Sequence, residues 1–217
     1  MIKIENLTKS YGDKVVFDNF NLEIKSGKIT CILGESGSGK TTLLNVLCGI
    51  TDYQGKVDSQ KCSVVFQKPN LFPNMTVKEN LLIVNNDQQL VEKTLADFYL
   101  TDKANSYPSQ LSAGQAQRVS LARAICYDAN LLLMDEPFIN LDVGLKQHLI
   151  NKIKDDHNSR SNTVVLVTHD ILECVSLADR IIVLSNGKIV EDITEVNEKT
   201  EKHLFGLMVK IFESQNA

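Results

Sequence analysis

The 217-residue chain never runs apolar for the ~18 residues that a bilayer-crossing helix needs. Any service it performs for a membrane is therefore expected from outside the lipid. No secretory leader is expected either: Met1-Ile2-Lys3-Ile4-Glu5 brings an acidic residue early, and no apolar segment follows. Basic residues are not in excess. Lys and Arg number 23 against 27 Asp and Glu, a formal net charge of -4, so no global field draws nucleic acid. No C-x-x-C pair occurs among the five cysteines, Cys31, Cys48, Cys62, Cys126 and Cys174. Odd in number and widely spaced, they point to neither a zinc site nor a disulfide framework. Several stand in apolar runs and read as small core residues in a reducing compartment. Internal repeats and low-complexity segments are absent. What is present is a hydrophobic share of 43%, enough for a globular chain and too much for a disordered one. The length suits one domain, or one domain with a sub-domain.

The most informative stretch is Gly34-Glu35-Ser36-Gly37-Ser38-Gly39-Lys40-Thr41-Thr42. An apolar run, Ile29 to Leu33, precedes it, and another, Leu43 to Leu47, follows. That order predicts a buried strand, a tight glycine loop and the first turns of a helix. Glycines let a backbone wrap closely around a phosphate chain, because no Cβ blocks the approach. Successive N–H groups then face the oxygens, and the helix N-terminus adds partial positive charge. In this pattern Lys40 reaches the β- and γ-phosphates, and the Thr41 hydroxyl serves Mg²⁺.

Elsewhere, alternation through Ile2 and Ile4, the cluster Val15-Val16-Phe17, and Phe20, Leu22 and Ile24 predict β structure over residues 1–30. Tyr11, beside the turn glycine Gly12, is either a turn tyrosine with a solvated hydroxyl or a platform for an adenine ring. Ser63 to Phe66 reads as a short buried strand that delivers Gln67 to a strand end, where α/β sheets put ligand-facing groups. Thr76-Val77-Lys78-Glu79 is a capping-box pattern, and Asp87 to Leu100 a second helix. Ser112-Ala113-Gly114-Gln115 is another capping box, opening a helix to about Cys126; its N-terminus is either a simple cap or a second anion-facing end. Leu131 to Met134 predicts a buried strand ending in Asp135 and Glu136. Two carboxylates there are too costly to bury without partners, which favours one near a metal ion and one near a water. Asp142 caps a further helix. Thr163 to Val167 predicts another buried strand, delivering His169. Asn186-Gly187 between Arg180–Leu184 and Lys188–Val190 predicts a type I′ hairpin. Residues 199–213, with Leu204, Leu207, Met208 and Ile211 at helical spacing, predict a helix packed on the body.

Taken in order, these elements resemble the nucleotide-binding subunit of ATP-binding cassette (ABC) transporters, and the resemblance covers nearly the whole chain. Gly34 to Thr42 looks like the Walker A loop, Gln67 the Q-loop glutamine, and Leu111-Ser112-Ala113-Gly114-Gln115 the LSGGQ signature. Leu131 to Pro137 is similar to the Walker B strand, Leu141-Asp142 to the D-loop, and Thr168-His169-Asp170 to the switch-histidine segment. Tyr11 falls where the family places its adenine-stacking aromatic. The resemblance implies an α/β fold: a P-loop NTPase core with a mostly parallel sheet, an N-terminal antiparallel β sub-domain and a helical, signature-bearing sub-domain. It implies a single ABC ATPase domain over 1–217, with about 70–125 as the helical insert.

The family mechanism implied is a head-to-tail sandwich of two copies, or of this chain and a homologue. ATP held by Tyr11, Gly34, Glu35, Ser36, Gly37, Ser38, Gly39, Lys40, Thr41 and Thr42 of one subunit is covered by Ser112, Gly114 and Gln115 of the other. Thr41, Gln67 and Asp135 organise Mg²⁺. Glu136 polarises the attacking water, and His169 holds water and γ-phosphate in line. Further implied partners are an integral-membrane permease, received beside residues 68–75, and a solute-binding protein acting through it; no nucleic acid is involved. Leu71 and Phe72 there are either contacts for the permease or core. The implied location is cytoplasmic, peripheral on the inner face of the cell membrane. A separate small ATPase looks like bacterial import systems, with export or lipoprotein-release systems and soluble non-transport ABC ATPases as alternatives. Three features depart from the family pattern. Ala113 replaces the first signature glycine, where a positive φ would cost about 1 kcal/mol or more. Ile139-Asn140 stands where Ser-Ala is common, without the serine hydroxyl. The interval from Lys40 to Gln67 is short, so the β-hairpin expected there is trimmed.

Overall fold

The computed structural model describes residues 1–58 and 60–215. Strand β3 (Ile29–Leu33) is buried at all five positions, as an apolar run covered on both faces must be. It lies inside a six-stranded sheet with β5 (Cys62–Val65), β6 (Leu131–Asp135), β7 (Thr163–Thr168), β8 (Arg180–Ser185) and β9 (Lys188–Ile193). The spatial order is β5-β6-β7-β3-β8-β9. Every pairing is parallel except the β8–β9 hairpin. At its turn Asn186 and Gly187 both have positive φ, 47° and 71°, as a type I′ turn requires. A second, antiparallel sheet of order β2-β1-β4 joins β1 (Ile2–Tyr11), β2 (Lys14–Ile24) and β4 (Gln54–Val57). Among the described residues, the strands between Lys40 and Gln67 are β4 and β5, which lie in different sheets and do not pair with each other.

Helix α1 (Lys40–Leu47) directly follows the glycine loop. Between the neighbouring parallel strands β5 and β6 run α2 (Val77–Leu82), α3 (Gln88–Asp97) and α4 (Ala113–Cys126). The remaining helices are α5 (Val143–Arg160), α6 (Ile171–Leu177) and α7 (Thr200–Gln215). Thr76 and Ser112 make the two capping boxes read from sequence, closing on Glu79 and Gln115. Asp142 accepts from the Leu145 N–H at the start of α5.

Two-residue alternation splits the core across the main sheet. Cys31, Leu33, Val164 and Leu166 pack with the helical side, through Val119, Leu149 and Leu177. Ile32, Val165, Val167 and Leu133 pack with α1 and the antiparallel sheet, through Leu43, Leu44, Phe17 and Ile4. Helix α7 buries Leu204 and Ile211 against the helical side while leaving Phe205 exposed.

Three sequence expectations are adjusted. The strand ending before Gln67 is half-buried rather than buried, because it is a sheet edge. Leu71 packs against the core whereas Phe72 is 45% exposed. Cys31 and Cys174 are disulfide-paired across the β3–α6 contact, with Cα atoms 5.6 Å apart. A separation of 143 residues hides such a pairing from any local spacing rule.

Candidate functional site

Parallel strands send their C-terminal ends to one edge of the sheet, where ligand clefts form in open α/β folds. Here the residues just beyond β3, β5, β6 and β7 include Gly34, Gln67, Glu136 and His169. A cleft of about 350 Å³ opens at that edge, lined by Ser36, Gly37, Gly39, Lys40, Thr41 and Thr42 of the loop, with Tyr11, Gln67 and Glu136 beside them. Lys14 and Val16 line it as well; sequence reading assigned neither to the site, for they carry no motif and reach the cleft only because β2 packs under the loop.

Gly34 and Gly39 are set by close approach. A Cβ on Gly34 would stand 2.3 Å from the Leu184 carbonyl oxygen and 2.7 Å from Ser38 Oγ. Gly39, with φ of 107°, lies against the Phe17 ring. The loop is also fastened from outside, where the Gly187 N–H donates to the Ser38 carbonyl at 3.0 Å and the Ser185 hydroxyl meets Glu35 at 3.1 Å. Lys40 folds back over the loop and donates to the carbonyls of Gly34 at 2.7 Å and Glu35 at 2.9 Å. Its pKa is lowered by burial, against the pull of nearby Glu136, Asp135 and Glu35.

On the far side, Asp135 ends β6 and is 2% exposed. Burial raises its pKa, with a hydrogen bond from Thr41 acting the other way. Its Oδ1 is buried without a hydrogen-bond partner. Glu136 follows in a left-handed backbone conformation, φ 46°, which a non-glycine residue adopts at a cost. The turn aims its carboxylate at the switch segment. Glu136 Oε1 lies 2.8 Å from His169 Nδ1, and Oε2 lies 3.4 Å from the Thr168 hydroxyl. Tyr11 stays half-exposed with the Lys9 ammonium 4.6 Å from its ring centroid.

Ser112, Gly114 and Gln115 are not in this cleft. They begin α4, where Ser112 is exposed and its Oγ accepts from the Gln115 N–H at 3.2 Å. Gly114 is needed because a Cβ there would meet the Asn140 carbonyl at 2.8 Å. Asn140 has φ of 62°, a conformation asparagine tolerates better than most residues. Gln117, one turn into α4, donates to the Pro137 carbonyl at 3.2 Å. The signature end of α4 is thus seated on the segment that leaves Glu136. Ala113 is the first residue of α4 and is not among the residues with positive φ, so the feared backbone cost does not arise.

The polar surroundings of the Glu136–His169 pair extend further than sequence reading reached. Glu173 in α6 is 4% exposed, yet it accepts from Thr168 at 2.7 Å and from Lys146 at 2.8 Å. Neither Lys146 nor Glu173 belongs to a recognisable spacing; a carboxylate at a helical position in an apolar surround was the available signal.

The chain matches the family model described as ABC transporter over residues 17–139. It is similar to the probable sulfate/thiosulfate import ATP-binding protein CysA of Chlorella vulgaris, 39% identical over 211 residues, covering 88% of this chain and 89% of that protein. The aliphatic sulfonates import ATP-binding protein SsuB 2 of Pseudomonas savastanoi pv. phaseolicola is 38% identical over 201 residues, covering 88% of this chain and 74% of that protein. Among solved structures, the dimeric post-hydrolysis state of an ATP-binding cassette bound to ADP and Pi superposes with a TM-score of 0.81 at 32% identity, covering 90% of this chain and 99% of that one. Cleft, strand order and relatives agree: the chain belongs to the ABC transporter family, as one of its ATP-binding cassettes.

Proposed function

We propose that this protein hydrolyses ATP in a head-to-tail dimer of two copies and so drives solute import through a separate integral-membrane permease. One observation supports this most. The phosphate-loop cleft and the capped tip of α4 are both formed, yet Ser112, Gly114 and Gln115 do not line the cleft of their own chain. A second copy would supply them to cover the nucleotide. The dimeric relative with ADP and Pi and the relatives named as import ATP-binding proteins point the same way.

In this reading Gly34 to Thr42 cradle the phosphates with backbone N–H groups, and Tyr11 stacks on the base. Lys40 exchanges its two carbonyl partners for β- and γ-phosphate oxygens. Thr41 and Asp135, with Gln67 at the rim, would hold Mg²⁺; the unpartnered Asp135 Oδ1 suits an ion that takes few carboxylates and fills its shell with phosphate oxygens and waters. That ion would supply charge neutralisation on the β- and γ-phosphates. Glu136 accepts the proton of the attacking water, and His169 orients Glu136 and the γ-phosphate. No covalent nucleophile is needed, because phosphoryl transfer asks mainly for positioning and charge stabilisation.

Residues 1–217 form one ABC ATPase domain in this reading, with about 70–125 as its helical sub-domain. The permease docks beside Gln67, on the segment 68–75. That segment is well held: buried Asn80 bonds the Phe72 N–H and the carbonyls of Phe72, Met75 and Thr76, and Arg123 bonds the Asn70 carbonyl. A solute-binding protein would act through the permease, and the site of work is the cytoplasmic face of the membrane. No helix among the described residues is long and apolar enough to cross a membrane.

The test is phosphate release from MgATP together with dimer mass. Glu136→Gln is expected to abolish turnover and to accumulate an ATP-bound dimer. Hydrolysis by Glu136→Gln at the wild-type rate would remove Glu136 as the base. Absence of both dimer and phosphate release in the wild type, with its permease supplied, would overturn the function.

A further inference from the structure

Behind the Glu136–His169 pair lies a buried chain of polar groups that the reading above leaves unused. Thr168 closes β7 and is fully buried. Its hydroxyl accepts from the Asp170 N–H at 3.1 Å. The same oxygen lies 2.7 Å from Glu173 Oε2 and 3.4 Å from Glu136 Oε2. A hydroxyl has one proton to give, so it cannot serve both carboxylates. The 2.7 Å contact takes it. Lys146 gives Glu173 a counter-charge: its ammonium lies 2.8 Å from Glu173 Oε1 and 2.8 Å from Asp170 Oδ2. Burial raises the Glu173 pKa, and Lys146 and Thr168 act against it. Lys146 stands one turn into α5, just past the Asp142 cap, so the clamp ties the start of α5 to the start of α6.

We propose that Glu173 is a positioning residue for hydrolysis: by taking the single Thr168 proton, with Lys146 as its counter-charge, it leaves Glu136 Oε2 undonated and free to accept from water. The proposal rests on Glu136 being the base. With the single Thr168 proton on Glu173, Glu136 Oε2 keeps its lone pairs for the attacking water. In Glu173→Gln the amide oxygen would turn to Lys146 and its NH₂ to Thr168. The Thr168 proton would then swing to Glu136 Oε2 and occupy the oxygen that should receive the water.

The experiment compares wild type, Glu173→Gln, Thr168→Val, the double variant and Glu136→Gln by steady-state MgATP hydrolysis, with thermal melting to confirm folding. Lys146 keeps Asp170 in every one, so the α5–α6 tie survives. Glu173→Gln is expected to lose about tenfold in kcat with KM for ATP within about twofold. Thr168→Val removes the misdirected donor, so the double variant should be faster than Glu173→Gln alone. A merely structural role predicts the opposite, with losses that accumulate. Wild-type kcat in Glu173→Gln, or a double variant slower than either single one, would overturn the proposal while a dead Glu136→Gln upheld the base. Activity in Glu136→Gln would remove the base and this proposal together.

Discussion

His169 Nδ1 stands 2.8 Å from Glu136 Oε1, joining the residue after β7 to the residue after β6 across the mouth of the cleft. Glu136 is held in a left-handed turn and its side chain is 14% exposed, while that of His169 is 64% exposed. The histidine is therefore the movable half of the pair. His169→Ala is expected to lower phosphate release by about 100-fold and to weaken nucleotide binding far less, since Gly34 to Thr42 supply most of the phosphate contacts in this reading. Equilibrium binding of a fluorescent ATP analogue and a phosphate-release assay separate the two. A variant retaining a third of wild-type turnover would show that the contact does not serve catalysis.

Asp135 carries a different consequence. A buried carboxylate oxygen without a partner destabilises the fold by about 1–3 kcal/mol, and a bound cation relieves that cost. Asp135→Asn should therefore melt at a higher temperature than wild type in metal-free buffer. It should also lose most of the further stabilisation that MgATP gives the wild type. Removing Mg²⁺ with a chelator should lower the wild-type melting temperature in ATP and leave the variant's nearly unchanged. An equal Mg²⁺ response in both proteins would take Asp135 out of the metal site.

Arg180 and Asp192 supply a pH dependence remote from the cleft. Two bonds, Nε to Oδ1 at 2.7 Å and Nη2 to Oδ2 at 2.6 Å, join β8 to β9. The hydrogen bond from Arg180 lowers the Asp192 pKa below its ordinary 3.8, with burial acting against it. The unfolded chain then binds the proton at a higher pH than the folded one, so the pair's contribution is full above 3.8 and is lost as pH falls through the depressed value. Asp192→Asn should be less stable than wild type at pH 6, and the gap should close on acidification below pH 3.8. Asp192 is partly exposed, so the effect is modest and screened by salt. Urea midpoints from pH 6 to 2.5 test it; a gap that widens on acidification would reverse the assignment.

What the linear chain disclosed was governed by locality. Gln67, Asp135 and His169 were readable as strand-end residues because each follows an apolar run, and a buried parallel strand leaves that mark without knowledge of its neighbours. The capping boxes at Thr76 and Ser112 were readable because both partners lie three residues apart. The order β5-β6-β7-β3-β8-β9 was not, and so the edge position of β5 was missed. Lys146 and Glu173 escaped for a related reason: 27 residues apart, they meet only because α5 and α6 pack side by side. Ala113 looked costly when judged by the family's glycine, yet as the first residue of a capped helix it needs no left-handed backbone. Lys14 enters the cleft through the fold of β2 under the loop, and nothing nearby in sequence announces that.

The loop glycines finally allow two substitutions of one methyl each to be set against one another. A Cβ on Gly34 would meet the Leu184 backbone oxygen at 2.3 Å, and a backbone carbonyl in a buried parallel strand cannot give way cheaply. A Cβ on Gly37 would meet nothing within 4 Å, although φ there is +84°. Gly34→Ala is therefore expected to destabilise the protein by about 2–4 kcal/mol and to lose ATP binding as the loop shifts. Gly37→Ala should cost about 1–2 kcal/mol, the conformational term alone, and retain weakened binding. Urea unfolding and nucleotide titration on the pair decide it. Equal losses would mean that loop strain, and not the contact with β8, governs the phosphate cradle.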